Sequence, residues 1–357
     1  MSETIKLNGE TFNREKIADL KTSYESTDSW LISIYEFLTN WFDNSDFIIS
    51  HTSGSTGTPK EIRLLKTAMR NSARMTNAFF SLDETKTALL CLPASYIAGK
   101  MMLVRAIVGG FNLIIVEPKA NPFENIDFAI DFTAITPYQL THSIETLKSK
   151  TVQNIIVGGG QVNAKLEALV TEIPAKMYET YGMTETASHI ALRCFNGNQK
   201  SDYFTVLDGV SIRQEERDCL AILATHLSEK ELITNDMIEL KDSKSFRWLG
   251  RLDSVINSAG VKIHPKQLEK KLEEYIPSNF FITSVPDEFL ENKVVLVIES
   301  EEFTPEKFFE LNTFCKENLS KYEIPKQIFY LPTFIYSESN KILRNETLSK
   351  AISLTTT

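Results

Sequence analysis

From about residue 46 to residue 180, short apolar runs alternate with longer segments in which apolar residues recur three and four apart. The runs DFIIS (46–50), TALLCLP (87–93), NLIIVEP (112–118), DFTAITP (131–137) and NIIVGGG (154–160) predict strands. KTAMRNSARMTNAFF (66–80), IAGKMMLVRAIVGG (97–110) and PYQLTHSIETLKS (137–149) predict the helices between them. Such β-α alternation implies an α/β fold, a large domain whose mostly parallel sheet is flanked by helices. Ligands of these sheets sit beyond the carboxyl ends of the strands.

Between about 190 and 250 the pattern shortens to strands and turns, as in HIALRC and GVSIRQEERDCLAILAT, and predicts a small antiparallel subdomain. After Arg251 the texture changes again, with helical PKQLEKKLEEYI (265–276) and TPEKFFELNTFCKENLS (304–320) among strands such as KQIFYLP (326–332). This predicts a large domain over 1–250, a hinge at 251–254 and a smaller α+β carboxy-terminal domain over 255–357. Upstream, SWLISIYEFLTNWF (29–42) carries so many apolar and aromatic residues that it must pack on something.

Composition adds bounds. The 357 residues are 42% hydrophobic and 24% charged, which supports a buried core and excludes disorder. A net charge of −9 disfavours a protein that coats nucleic acid. Cysteines 91, 194, 219 and 315 match no zinc or redox spacing and read as reduced core thiols. The first residues show no basic flank before an apolar stretch, and no run approaches the roughly 18 apolar residues of a membrane span, so a cytoplasmic protein is expected.

Several segments carry candidate chemistry. HTSGSTGTPKE crowds Gly, Ser and Thr directly after a strand, the composition a polyphosphate needs, although a surface turn has the same composition. It is no Walker loop, because Pro59 precedes Lys60 and Glu61 follows it. In YETYGMTETASHIAL (178–192), Glu185 can hold Mg²⁺ together with substrate phosphates, and the Thr184 hydroxyl can hold a phosphate oxygen. Asp236 and Arg251, near the domain junction, suit ribose hydroxyls or else an ordinary surface ion pair. SNKILRNE (339–346) offers Lys341 in a polar loop.

In this order, HTSGSTGTPK, YGMTET, ND, GRLDSVINSAGVKIHPKQLE and NKILR resemble the signatures of the adenylate-forming superfamily, which includes acyl-CoA synthetases and luciferases. The resemblance runs from about residue 46 to 350. It implies activation of a carboxylic acid by Mg·ATP to an acyl-adenylate, followed in many members by transfer to coenzyme A. By position, Thr52, Ser53, Gly54, Ser55, Thr56, Gly57 and Lys60 would cover the β- and γ-phosphates. Tyr181 would lie against adenine, with Gly158, Gly159 and Gly160 at the edge beside adenine and the acyl group. Thr184 would meet the α-phosphate, Glu185 the Mg²⁺, and the pair Asp236 and Arg251 the ribose. Lys341 would bridge the carboxylate and the α-phosphate during adenylation, and Asp253 would be the hinge about which the small domain turns to bring Ser258–Lys262 toward coenzyme A.

The sequence departs from the family at Glu61, Asn235, Ser254 and Asn340, none of them a charged catalytic position. The family usually carries roughly 100 more residues ahead of the phosphate loop, so a flank of the sheet needs cover from the 29–42 segment or from a second subunit, a homo-oligomer. Within the superfamily, LPASYIAGKMMLVRA, VGGG and YGMTETASHIAL are most similar to the o-succinylbenzoate–CoA ligases of menaquinone biosynthesis. That places Tyr96 at the edge of the acyl pocket, Thr186, Ser188 and His189 near the acid, and Lys100 or Arg105 against its second carboxylate. The alternatives are a ligase or adenylating enzyme for another aryl or medium-length acid, and a nucleotide-binding protein without turnover. Solvent-facing positions for Lys100 and Arg105 are the competing reading of those two charges.

Overall fold

The computed structural model describes residues 3–23, 29–51, 61–225, 227, 230–336 and 342–355. Five parallel pairings lie at the heart of a 13-stranded sheet, joining Lys176–Gly182, Val152–Val157, Ile130–Ile135, Thr87–Leu90, Asn112–Ile115 and Ile5–Leu7 in that order. Ile130–Ile135 and Val152–Val157 are buried along almost their whole length, as strands covered on both faces must be. Helices Lys66–Phe80, Ile97–Gly109 and Pro137–Leu147 follow the predicted segments. The last starts sharply, because Thr136 and Gln139 form a reciprocal capping box ahead of Pro137 at the first turn.

The antiparallel strands between 189 and 251 do not form a separate layer. They continue the same sheet beyond Lys176–Gly182, through His189–Cys194, Phe204–Val206, Ser245–Arg251, Leu232–Asp242, Cys219–Leu223 and Ser211–Gln214. Phe47–His51, expected among the parallel strands, pairs instead with Glu61–Leu65 as a two-stranded antiparallel sheet. Its burial is one-sided, with Ile48 and Leu64 buried and Ile49 and Leu65 exposed, so only one face has a core to join.

At the opposite edge, Ile5–Leu7 and Glu10–Phe12 form a hairpin through Asn8 (φ 48°) and Gly9 (φ 88°). Asn-Gly suits a two-residue turn that requires positive φ at both positions. The hairpin is pinned to the neighbouring strand by Asn8 Oδ1, which accepts from Ile115 N at 3.0 Å, and by Gly9 N, which donates to Asn112 Oδ1 at 2.8 Å.

Helix Ser29–Phe42 buries Ile34, Phe37, Leu38, Trp41 and Phe42, a helical stripe, in the core it shares with Lys66–Phe80 and Ile97–Gly109. The flank of the sheet is thus covered from within the chain. Arg70 stacks 4.8 Å over the Trp41 ring and holds Glu3 through two bonds of 2.7 and 2.9 Å. Trp41→Ala is expected to cost about 3–5 kcal/mol of folding stability, read as a lower denaturation midpoint. A change below about 1 kcal/mol would mean that the helix is not part of the cooperative core.

The turn Leu252–Ser254 links the last strand of the large sheet to Ile256–Ser258, the first of a separate five-stranded sheet carried with helices Pro265–Leu272 and Pro305–Asn318. Across the junction, Ala164 N donates to Glu273 Oε2 at 3.1 Å, and Lys165 Nζ donates to the Pro277 carbonyl at 2.8 Å. All four cysteines are free thiols, three of them buried. Among the described residues no helix is long and apolar enough to cross a membrane.

Candidate active site

The carboxyl ends of four adjacent parallel strands open on one edge and deliver LPASY (92–96), Thr136, Gly158–Gly160 and MTET (183–186) side by side. Gly160 and Gly159 are exposed, and Gly159 needs its positive φ of 79°. The loop is anchored from below, where the buried Glu179 carboxylate accepts from Val162 N at 3.0 Å and is held by Arg193 at 2.7 Å. Burial raises the Glu179 carboxyl despite that cation.

Tyr181 and Asp236 meet directly, the phenol donating to Oδ2 at 2.6 Å while Trp248 Nε1 donates to Oδ1 at 3.1 Å. Burial and the adjoining carboxylate both raise the Tyr181 hydroxyl, so it stays a donor. The ring is fixed edge-on against Phe246, 5.1 Å away between centroids. Asp236 and Arg251 face each other in register on neighbouring antiparallel strands. The Arg251 guanidinium, however, binds Asp253 through bonds of 2.9 and 2.7 Å, so the proposed ribose and hinge residues form one chain of contacts. Ala259 (φ 49°) and Gly260 (φ 78°) turn the hairpin that follows.

Thr184–Thr186 forms one turn of 3₁₀ helix, with Glu185 exposed and Thr184 half-buried. Among the described residues no three potential metal-ligating side chains gather, so Glu185 offers at most a two-residue donor set there. That donor set fits Mg²⁺ only in partnership with substrate phosphates. Thr52, Ser53, Gly54, Ser55, Thr56, Gly57 and Lys60 lie outside the described residues, as does Lys341.

Lys100 and Arg105 are both buried, on different sides of helix Ile97–Gly109. Lys100 Nζ donates to the Ile49 carbonyl at 3.0 Å and lines a cavity of about 280 Å³ with Phe37, Phe47 and Ser95. Burial pushes its ammonium down. Arg105 points the other way and is 2% exposed. Its Nη2 donates to Ser188 Oγ at 2.8 Å and its Nη1 to the Met102 sulfur at 3.6 Å, while Nε is buried without a partner. Among the described residues it forms no ion pair, and burial pushes its guanidinium down from the usual arginine range.

His189 adjoins this cation, with Nε2 3.2 Å from Thr76 Oγ1 and Nδ1 3.5 Å from Ser188 Oγ. Burial and then the Arg105 charge drive its pKa well below the ordinary histidine value, so the ring is neutral. The structure therefore gathers Arg105, Ser188 and His189 and leaves Lys100 on the opposite side. Tyr96 occupies the position just ahead of the helix, half-buried. Thr76 and Asn77 complete the cluster, Asn77 Nδ2 donating to the Arg105 carbonyl at 2.9 Å. The sequence reading did not include these two, because Thr76 and Asn77 sit inside an ordinary amphipathic pattern.

Gly182 explains the glycine of the YG pair. A Cβ there would lie 2.4 Å from the Ser188 carbonyl oxygen and 2.5 Å from the His189 Cα, both backbone atoms that cannot swing aside. Gly182→Ala is expected to displace Ser188 and His189 and to lower kcat/KM for the acid by about 100-fold. Steady-state kinetics alongside circular dichroism checks this. An unchanged kcat/KM would show that the turn tolerates displacement.

A family model described as AMP-binding enzyme matches residues 6–213. The chain belongs to this family, the adenylate-forming ligases. A 2-succinylbenzoate–CoA ligase from Bacillus cereus is 25% identical over 346 residues, covering 84% of this chain and 69% of that protein. An acyl-CoA synthetase (AMP-forming)/AMP-acid ligase II-like protein from Dyadobacter fermentans has a solved structure 34% identical to this chain. The match covers 93% of this chain and 97% of that one, with a TM-score of 0.60. The fold is also that of the o-succinylbenzoate coenzyme A synthetase (MenE) from Bacillus subtilis, solved with ATP and magnesium ion. That match has a TM-score of 0.68 and 21% identity, over 84% of this chain and 69% of that one.

Proposed function

We propose that the chain joins o-succinylbenzoate to coenzyme A through an acyl-adenylate, as menaquinone biosynthesis requires. The observation that carries this reading is Arg105, a buried guanidinium with no carboxylate partner among the described residues. A cation held that way is costly until an anion reaches it. o-Succinylbenzoate brings two carboxylates, one to be adenylated and one, on the ring, for Arg105. Ser188 and neutral His189 supply hydrogen bonds without adding charge.

A carboxylate is a poor electrophile with an unusable leaving group, and adenylation supplies the leaving group. Residues 52–57 and Lys60 would hold the β- and γ-phosphates, and Thr184 the α-phosphate. Mg²⁺, carried by those phosphates and Glu185, would neutralise charge on the departing pyrophosphate. Tyr181 and Gly158–Gly160 would flank adenine, and Asp236 and Arg251 the ribose. Lys341 would neutralise the meeting of carboxylate and α-phosphate, a form of electrostatic stabilisation. Asp253 would then be the pivot between a large domain (1–250) and a small mobile one (255–357), with one orientation for each half-reaction. Arg251 would leave Asp253 when ribose binds.

The test is mass spectrometry of products formed from Mg·ATP and o-succinylbenzoate, with and without coenzyme A. Thioester and AMP are expected. Adenylate without thioester would confine the chain to the first half-reaction, product from other acids alone would overturn the substrate, and ATP binding without product from any acid would mark a non-catalytic nucleotide binder.

A further inference from the structure

The turn that presents Ser188 to Arg105 is strained. Ala187 holds φ 62° and ψ −35°, and Ser188 N donates back to the Thr186 carbonyl at 2.7 Å, which closes a three-residue γ-turn of the rare positive-φ kind. Non-glycine residues avoid this region, and such strain persists only where the surroundings over-determine it. Here they do. Ala187 is 2% exposed, its methyl packed in the core. Ala187 N donates to the Thr184 carbonyl at 2.9 Å.

The Thr186 side chain closes the brace. Its hydroxyl is buried, accepts from Met183 N at 3.0 Å, and lies 2.7 Å from the Ser188 carbonyl oxygen and 2.9 Å from that of Met183, to one of which it donates. Every bond of this hydroxyl therefore goes to backbone of its own turn. The backbone it fixes is the piece that carries Ser188 Oγ onto Arg105 and the His189 ring onto Thr76. With a relaxed φ at Ala187, the chain would leave the turn in another direction and Ser188 would lose Arg105.

We propose that Thr186 and the strained Ala187 turn are positioning residues that set acid specificity: they aim Ser188 and His189 so that Arg105 accepts a second carboxylate. This rests on the reading that Arg105 receives the ring carboxylate of the acid. Thr186 itself does not touch the acid.

The experiment compares kcat/KM for o-succinylbenzoate with that for 4-oxo-4-phenylbutanoate, which lacks the ring carboxylate, in wild type, Thr186→Val, Thr186→Ser and Ala187→Gly. Thr186→Val is expected to lower the preference for the dicarboxylate at least about tenfold while KM for ATP stays within about twofold. Thr186→Ser keeps the hydroxyl and should restore the preference. Ala187→Gly keeps access to the positive φ, so it should remain folded, but it loses the core-packed methyl that holds the turn, so the preference should fall. It keeps the test decisive should the valine variant not fold. If both Thr186→Val and Ala187→Gly lose rate equally on the two acids, the residues are merely structural and the proposal is overturned. A wild type that does not distinguish the acids overturns the Arg105 reading itself, and this inference with it.

Discussion

Replacing Arg105 with methionine is expected to lower kcat/KM for o-succinylbenzoate by about 100-fold or more while leaving thermal stability unchanged or raised. The two effects have one cause. In the free protein the guanidinium is buried, hydrogen-bonded to Ser188 and Met102, and paired with no carboxylate among the described residues. A buried charge without a counterion costs several kcal/mol, and methionine fills similar space with no charge. The same cost, relieved when a carboxylate arrives, would become binding energy for the acid.

A pH effect accompanies it. His189 is held neutral below its ordinary value of 6.5, first by burial and then by the Arg105 charge. In the unfolded chain it binds a proton near that ordinary value, so the stability tied to neutral His189 is present above about pH 6.5 and is lost as pH falls. Removing Arg105 takes away only the second cause of the depression, with burial remaining the first, so the variant should lose no more stability than wild type as pH falls below about 6.5. Thermal melts across that range, with steady-state kinetics, check both halves. A destabilised variant with unchanged kcat/KM would contradict the role given to Arg105.

Lys341→Ala is expected to slow acyl-adenylate formation by about three orders of magnitude, yet to slow thioester formation from supplied o-succinylbenzoyl-adenylate by less than about tenfold. Adenylation brings two anions together, and a single cation between them can supply several kcal/mol. The second half-reaction would start from a mixed anhydride already formed, with AMP as leaving group, and needs no such bridge. Three residues downstream, Arg344 is anchored to the buried Glu269 through bonds of 2.8 and 3.2 Å. Separate assays of the half-reactions decide the matter. Equal loss in both would mean that Lys341 supports the fold or binds nucleotide in general.

Most of the architecture was legible because period and turn chemistry agree along the chain. Helices 66–80 and 97–109 and strands such as 130–135 and 152–157 fall where their apolar spacing placed them. The amino-terminal hairpin was missed, although Asn8-Gly9 between alternating residues was the signal that marks it. Pairing partners were less legible. Nothing local tells Phe47–His51 to leave the parallel sheet, because that depends on which face finds a core. The same holds for the site. Lys100 and Arg105 are isolated charges in an apolar helix, and either reads as solvent-facing. Their burial depends on Ile49 and Ser188, distant in sequence, and only the fold shows that they point apart. Thr186 was legible as a site residue but not as a brace, since its backbone partners exist only once the turn has formed.

The most direct test of the central claim is pyrophosphate release from Mg·ATP with o-succinylbenzoate and with 4-oxo-4-phenylbutanoate, measured side by side on the wild-type protein. The predicted result is release with both acids and a kcat/KM at least about 100-fold higher for the dicarboxylate. Equal values, or release that depends on neither acid, would contradict the reading that Arg105, which has no carboxylate partner among the described residues, receives the second carboxylate of the acid.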